Sequence, residues 1–276
     1  DTASGNNYGL FGSRGYGTVK NLVLEGSIKV NTTGFVGAIA GSAFADTYEN
    51  VVSRVDVTNL GTGATGGLAG YYGGKENAII RNCAVYADIS GKGDVGGLIG
   101  RGWGGTQYYR FYNCAYKGSL TDGTSIGALV GYNATGNGST KPNVSMGNIR
   151  LQNCYYNPQN EEIPMFGGSY IHEGNSVEYY ATITNCGYRS ADAFASGEVA
   201  YLLGDAWGQA IGTDAAPVPG GQKVYQVNHC GQTTYSELAM VGHYYNDDNR
   251  CETCGDIFEF AVENYDGTYT VTGYNG

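Results

Sequence analysis

The clearest metal-ligating spacing lies near the C-terminus. Cys251-Glu252-Thr253-Cys254-Gly255 is a C-x2-C-G knuckle, which lets two thiolates share one tetrahedral ion while the glycine eases the turn that follows. Cys230 and His243 complete a Cys3His set, with His229 competing as the nitrogen ligand. Four protein ligands leave no open position, so a zinc ion held this way is structural. A disulfide from Cys230 to one of the knuckle pair is the competing reading, and free thiols are a third.

The other cysteines, Cys83, Cys114, Cys154 and Cys186, each follow an asparagine at one recurring position. They read as stacked small apolar side chains, since no cation or histidine stands nearby to make a thiolate. Acid pairs matter because carboxylates cleave polysaccharides. Asp88, Asp94 and Asp122 fall at strand ends or turns and Asp46 precedes Glu49, without a catalytic pattern. His172 lacks the partners of a Ser-His-Asp arrangement, and His172-Glu173 lacks the second histidine of a zinc protease helix. Asn246-Asp247-Asp248-Asn249 matches no calcium loop. Sequons occur at Asn31, Asn133, Asn137 and Asn143; they are glycan sites only in a eukaryotic secreted protein.

Aromatic residues carry the strongest binding signal. Phe44, Tyr71, Tyr72, Trp103, Tyr108, Tyr109 and Tyr132 follow a repeated glycine-framed element, and an insertion adds Tyr155, Tyr156, Phe166, Tyr170, Tyr179 and Tyr180. Read as turns at one edge of a stacked fold, they form a row, with Phe44, Tyr71, Tyr72, Trp103, Tyr108, Tyr132 and Tyr170 as the candidate ligand residues. Rigid aromatic faces with few charges suit the C–H faces of sugar rings. Packing of each ring against its own coil is the competing reading.

What must position these residues is a repeat. Gly9-Leu10-Phe11-Gly12 returns as Gly37-Ala38-Ile39-Ala40-Gly41, Gly66-Gly67-Leu68-Ala69-Gly70, Gly96-Gly97-Leu98-Ile99-Gly100 and Gly127-Ala128-Leu129-Val130-Gly131. The closing glycines at 12, 41, 70, 100 and 131 are 29, 29, 30 and 31 residues apart. Asn21, Asn50, Asn82, Asn113, Asn153 and Asn185 keep time with them. A unit of about thirty residues holding short β-branched segments and glycine turns, with no room for a long helix, fits one coil of a parallel β-helix. Glycine lets the backbone turn sharply around the inward apolar pair, and stacked asparagines pass amide hydrogen bonds between coils about 4.8 Å apart. The fold expected is all-β: a β-solenoid of about 30-residue coils over 1–189, a capping segment over 190–225 and a small Cys/His module over 226–276. Residues 190–225 carry two short Ser-capped helical turns ended by Gly204, placed to cover the open end of the last coil. The regularity breaks between Asn113 and Asn153 and again over 157–180.

Composition agrees. The 276 residues include 47 glycines and 25 tyrosines, with only 14% charged side chains and a net charge of −10. No basic cluster is present to displace counterions, which argues against nucleic acid. No stretch reaches 18 apolar residues, so no membrane span is expected. The start at Asp1-Thr2-Ala3-Ser4, without Met or a signal peptide, reads as a mature or excised piece of a larger multidomain chain.

Through its tetrads, Asn153-Cys154-Tyr155-Tyr156-Asn157, and the stretch from Ser196-Gly197-Glu198 through Trp207-Gly208-Gln209 to Pro217-Val218-Pro219-Gly220-Gly221, the chain resembles the GLUG-motif repeat proteins. These are large surface proteins of bacteria, including gut anaerobes. The resemblance covers residues 8–225 and implies an extracellular, secreted or cell-surface β-solenoid. The function expected is a non-enzymatic stalk or adhesin that binds a glycan or host-surface ligand. The alternatives are a region of a glycan-degrading enzyme or surface peptidase, and a structural spacer or fibre subunit.

Overall fold

A computed structural model describes residues 5–73, 78–103, 109–134, 149–160, 162–169, 181–229, 231–239, 250–251, 261–263 and 269–271. The chain winds about five turns of a parallel β-solenoid. Each coil contributes to three sheets. Phe11–Gly15, Ala40–Phe44, Ala69–Gly73, Ile99–Trp103, Val130–Ala134 and Phe166–Ser169 stack as a six-stranded sheet. Val36–Gly37, Thr65–Gly66, Asp94–Gly96 and Ser125–Gly127 form a narrow second sheet. A twelve-stranded third sheet begins with Thr18–Val30 and Thr47–Asn59 and continues as shorter pieces to Gly187–Tyr188.

The tetrads hold this winding for a reason other than the sharp turn expected of them. None of their glycines has positive φ. A Cβ on Gly100 would stand 2.5 Å from the Thr65 nitrogen and 2.7 Å from the Gly70 oxygen, and one on Gly131 would stand 2.5 Å from the Gly100 oxygen. Backbone of adjacent sheets and coils passes directly against these positions, so the missing side chain is what the packing needs. Between the glycines, Ile39, Leu68, Leu98 and Leu129 are buried completely.

Each asparagine marks a bend in the third sheet. Asn21, Asn50, Asn82, Asn113, Asn153 and Asn185 all sit in the left-handed region, at φ 51–54°, which asparagine tolerates better than other side chains that carry a Cβ. Their amides join one another in an unbroken chain. Asn50 donates to Asn21 at 3.0 Å, Asn82 to Asn50 and Asn113 to Asn82 at 3.1 Å, Asn153 to Asn113 at 3.0 Å, and Asn185 to Asn153 at 3.4 Å. The cysteine after each of the last four points inward, and its thiol donates to the carbonyl two residues earlier at 3.2–3.4 Å.

Three expectations change. The sixth turn of the six-stranded sheet, at Phe166, lies inside the stretch read as an excursion: Phe166 pairs with Val130, and Leu129 N–H donates to the Met165 carbonyl at 3.1 Å. The helix Ala191–Ala195 (α1) is capped by Ser190 as expected, but Glu198–Leu203 (α2) starts at Gly197, φ 90°, and not at a serine cap. The segment 190–225 lies along the flank of the solenoid instead of over its end. Phe194, Val199, Leu203 and Trp207 bury the outward faces of Ala84, Ala115 and Tyr155 from three successive coils. Trp207 Nε1 donates to the Asn113 carbonyl at 3.0 Å, Tyr86 Oη to Pro217 at 2.7 Å, and Lys117 Nζ to Ala215 at 3.0 Å. Apolar side chains facing out of the coils make that flank, and not the end, the surface that drives docking. Within it, buried Gln209 Nε2 donates to the Phe194 and Asp214 carbonyls, each at 2.9 Å, tying α1 to the following loop.

Candidate functional site

Phe44, Tyr71, Tyr72, Trp103 and Tyr132 lie on strands of the six-stranded sheet, not in turns, whereas Tyr109 opens a strand of the twelve-stranded sheet. Alternate side chains of a strand face opposite ways, so the sheet sorts them. Ser42, Tyr71, Arg101 and Tyr132 share one register position, and Phe44, Gly73 and Trp103 share the position two residues on. Both positions face outward, and these side chains are half-buried except for the exposed Arg101.

Tyr72 leaves the candidate site. Its strand neighbour Tyr71 faces out, so Tyr72 faces in, fully buried, with its hydroxyl donating to the Asp46 carbonyl. There it packs against Tyr48 with ring centres 5.6 Å apart, and against Tyr109 and Phe111 at 6.4 Å. Burial raises the hydroxyl pKa of Tyr72 and of Tyr109 well above the ordinary tyrosine value.

On the outer face the rings gather into neighbouring groups. Phe44 and Trp103 stack at 6.5 Å and 28° although a whole coil lies between them. Gly73 occupies that intervening position, and a Cβ there would run into the Phe44 ring. Tyr71 stacks on Phe35 at 5.0 Å and 24°, and Tyr16 meets Phe44 edge-on at 5.9 Å. The Arg101 guanidinium lies 5.6 Å from the centre of the Tyr132 ring and is paired to Asp94 at 2.5 Å. Burial raises the Tyr71 hydroxyl pKa against the lowering effect of Arg101, so it remains a neutral donor.

Phe35, Tyr16 and Arg101 were not among the residues singled out. Arg101 had a legible signal, because it follows a closing glycine as Tyr71 and Tyr132 do. Phe35 and Tyr16 reach the platform through proximity between coils. Tyr108 and Tyr170 lie outside the described residues, as do Cys230, His243 and Cys254. Cys251 is buried, 2% exposed. His229 ends the strand Tyr225–His229 of a hairpin, in register with Gln232.

The acids singled out in the sequence, Asp46, Glu49, Asp88, Asp94 and Asp122, all have structural partners. Asp46 pairs with Arg14 at 2.6 Å and accepts from Gly17 N–H, yet burial outweighs both and raises its pKa. Asp122 accepts from Ser90 at 2.9 Å. A cleft of about 440 Å³ between the solenoid and the Asp214 loop is lined by Arg54, Asp56, Tyr86, Asp88, Lys117 and Asp214. There Asp56 accepts from Asp88 N–H at 3.0 Å, Asp88 from Ser119 N–H at 2.8 Å and Asp214 from Ala210 N–H at 2.7 Å. Those carboxylates are engaged within the solenoid and within the loop, and the Tyr86–Pro217 and Lys117–Ala215 bonds that join the two make the cleft a docking seam.

The four repeat cysteines are chemically quiet. Burial pushes the Cys83 thiol up to about 12 and raises Cys154, and a hydrogen bond with Cys154, added to by burial, raises Cys186. No helix among the described residues is long and apolar enough to cross a membrane. No family model matches the chain, and no curated protein or solved structure matches it either.

Proposed function

We propose that the chain is an extracellular, non-enzymatic adhesion module of the GLUG-repeat kind, which binds glycan on the outer face of its six-stranded sheet. The observation that carries this reading is the platform of Phe44, Tyr71, Trp103 and Tyr132, held half-buried on rigid strands and bordered by Arg101. Flat rings of fixed orientation offer stacking area at little entropic cost, while Tyr hydroxyls and the guanidinium supply directional partners for sugar hydroxyls. Ion pairing of Arg101 to Asp94 compensates the cation at this face. The net charge of −10 also repels polyanions, so neutral hexose and N-acetylhexosamine chains are the favoured class over sulfated or uronate-rich ones.

Binding to an array of host and microbial glycans, followed by calorimetry on the best neutral hit, tests this. Trp103→Ala and Tyr71→Ala are each expected to weaken binding about tenfold, which is 1.4 kcal/mol, with the melting temperature nearly unchanged. Silence across the array, or affinity indifferent to both substitutions, would overturn the reading. Release of reducing ends by the purified chain would overturn its non-enzymatic part. The C-terminal module belongs to the same proposal as a structural zinc site of Cys230, His243, Cys251 and Cys254, supported by the knuckle spacing. One zinc per chain by mass spectrometry, lost in Cys251→Ser, is the expected result.

A further inference from the structure

The rings on the outer face of the six-stranded sheet follow an order. Two outward positions recur on its strands, and from Ala40–Phe44 to Val130–Ala134 the first is filled in turn by Ser42, Tyr71, Arg101 and Tyr132. The second is filled over the same coils by Phe44, Gly73, Trp103 and Ala134. Every one of these coils therefore contributes one aromatic residue, and the aromatic changes column at every step. Where the first column carries a ring, the second carries glycine or alanine. Where the second carries a ring, the first carries the hydrogen-bonding Ser42 or Arg101.

The small residues let the rings close up along the axis. A Cβ on Gly73 would run into the Phe44 ring and come within 3.3 Å of the Tyr71 ring. Trp103 reaches the same place from the next coil, with its centre 6.5 Å from that of Phe44. Tyr132 leans in the same way over the coil that follows it, since a Cβ on Gly168 would stand 2.7 Å from its ring. The Arg101 guanidinium, 5.6 Å from the centre of the Tyr132 ring, fills the column between Tyr132 and Tyr71. The result is a narrow strip that runs along the solenoid axis, across the strands, with aromatic area offered alternately to its left and right.

Successive coils advance about 4.8 Å. A pyranose chain linked equatorially at both ends, as in a β-1,4 linkage, is straight and advances by about the length of one ring per sugar. It also turns each sugar over relative to the last, so the side that carries the apolar C–H patch changes at every step. An axial α-1,4 linkage bends the chain at each sugar and curls it away from a straight row. We infer that the ligand is of the straight kind, a β-1,4-linked neutral polysaccharide that lies along the solenoid axis with one sugar per coil from Phe44 to Tyr132. This rests on the glycan reading above and adds to it the linkage, the direction of the chain and the number of sugars held.

Calorimetry with β-1,4-linked glucose and N-acetylglucosamine oligomers of one to six sugars, and with α-1,4-linked glucose oligomers of the same lengths, tests the inference. Affinity in at least one β-1,4 series is expected to rise about threefold to tenfold with each sugar up to four and then to level off. The α-1,4 tetramer is expected to bind at least about tenfold more weakly than the β-1,4 tetramer. Phe44→Ala, at one end of the row, is expected to bring the tetramer down to the affinity of the trimer and to change the trimer by no more than about twofold, because three rings remain in line. Trp103→Ala, inside the row, is expected to weaken both, with the circular dichroism of either variant matching that of the wild type. An α-1,4 series that binds equally well, an affinity that stops rising at one or two sugars, or a Phe44→Ala effect as large on the trimer as on the tetramer would overturn the axial ribbon and leave glycan binding standing. Silence toward every oligomer beside a hit elsewhere on the glycan array would do the same, whereas silence on the array as well would overturn both.

Discussion

Asn113 and Asn153 stand 40 residues apart in the chain and share a 3.0 Å side-chain hydrogen bond. Neighbouring rungs are 29 to 32 residues apart and make bonds of nearly the same length. The extra residues between Asn113 and Asn153 therefore leave the register untouched. Position in the coil is set by where the backbone bends and by what it stacks on, and the contour length between bends is free to vary.

Asn113 fills a left-handed position and makes two amide bonds, so its substitution separates those roles. Asn113→Ala incurs about 1–2 kcal/mol for an alanine in that conformation, together with about 0.5–1.5 kcal/mol for each lost bond. A total of about 2–5 kcal/mol is expected in denaturant titration. Asn113→Gly removes the conformational part and should fall about halfway between alanine and wild type. Equal effects of the two substitutions would mean that the amide chain alone holds the bend.

Trp207 fastens the 190–225 segment to the flank, being 3% exposed with its indole N–H on the Asn113 carbonyl. Truncation of a buried tryptophan costs about 3–5 kcal/mol, and here the loss falls on the docking of a segment instead of on the winding of the coils. For Trp207→Ala, limited proteolysis is expected to cut within 190–225 first and leave a resistant solenoid fragment. Simultaneous loss of both would show that the coils need the clasp.

The winding was legible in the sequence because stacking puts the same demand on every coil: Gly100 and Gly131 must both leave room for passing backbone, and Asn82 and Asn113 must both bend left-handed. The turn at Phe166 escaped because Ile163-Pro164 stands where the leading glycine stood in earlier coils. The site was half legible. That Tyr71 faces out and Tyr72 in depends on the phase of a strand whose start no local signal marks, and Phe35 joins Tyr71 only through the winding. The segment 190–225 showed apolar residues with helical spacing, but the flank it covers is assembled from Ala84, Ala115 and Tyr155, residues whose outward direction emerges only once three coils are stacked.

Buried thiols and phenols make the fold sensitive to base. Burial raises Cys83 from 9.0 to about 12 and raises Tyr72 and Tyr116 as well. Because the folded values lie above the unfolded ones, the stability linked to the protonated forms is fully present below about pH 9. It is lost as pH climbs from there toward 12, while the unfolded chain ionises first. Denaturant midpoints are expected to be level between pH 7 and 8.5 and to fall steeply above 9. Over the same range Cys83, Cys114 and Cys154 should resist a thiol reagent at pH 8 until the chain is unfolded. Rapid modification of all three in the folded chain would contradict their burial.

Glycine is required at the tetrads for close approach, and this can be separated from its conformational role. Gly100 has ordinary φ but no space, since a Cβ would press on Thr65 and Gly70 backbone that cannot swing aside as a side chain can. Gly204 is the reverse case, with φ 92° and nothing within 4 Å of an added Cβ. Gly204→Ala is therefore expected to lose about 1–3 kcal/mol, the strain of a side chain at φ 92° and ψ −173°, backbone that essentially only glycine adopts, at the end of α2. Gly100→Ala must push two coils apart along a shared seam, and its loss is expected to exceed 4 kcal/mol, at the far end of what single substitutions do. Soluble expression and urea midpoints of the two variants give the comparison. If Gly100→Ala were as mild as Gly204→Ala, the coils would have slack along the seam, and the tetrad glycines would have to be explained by turn geometry after all.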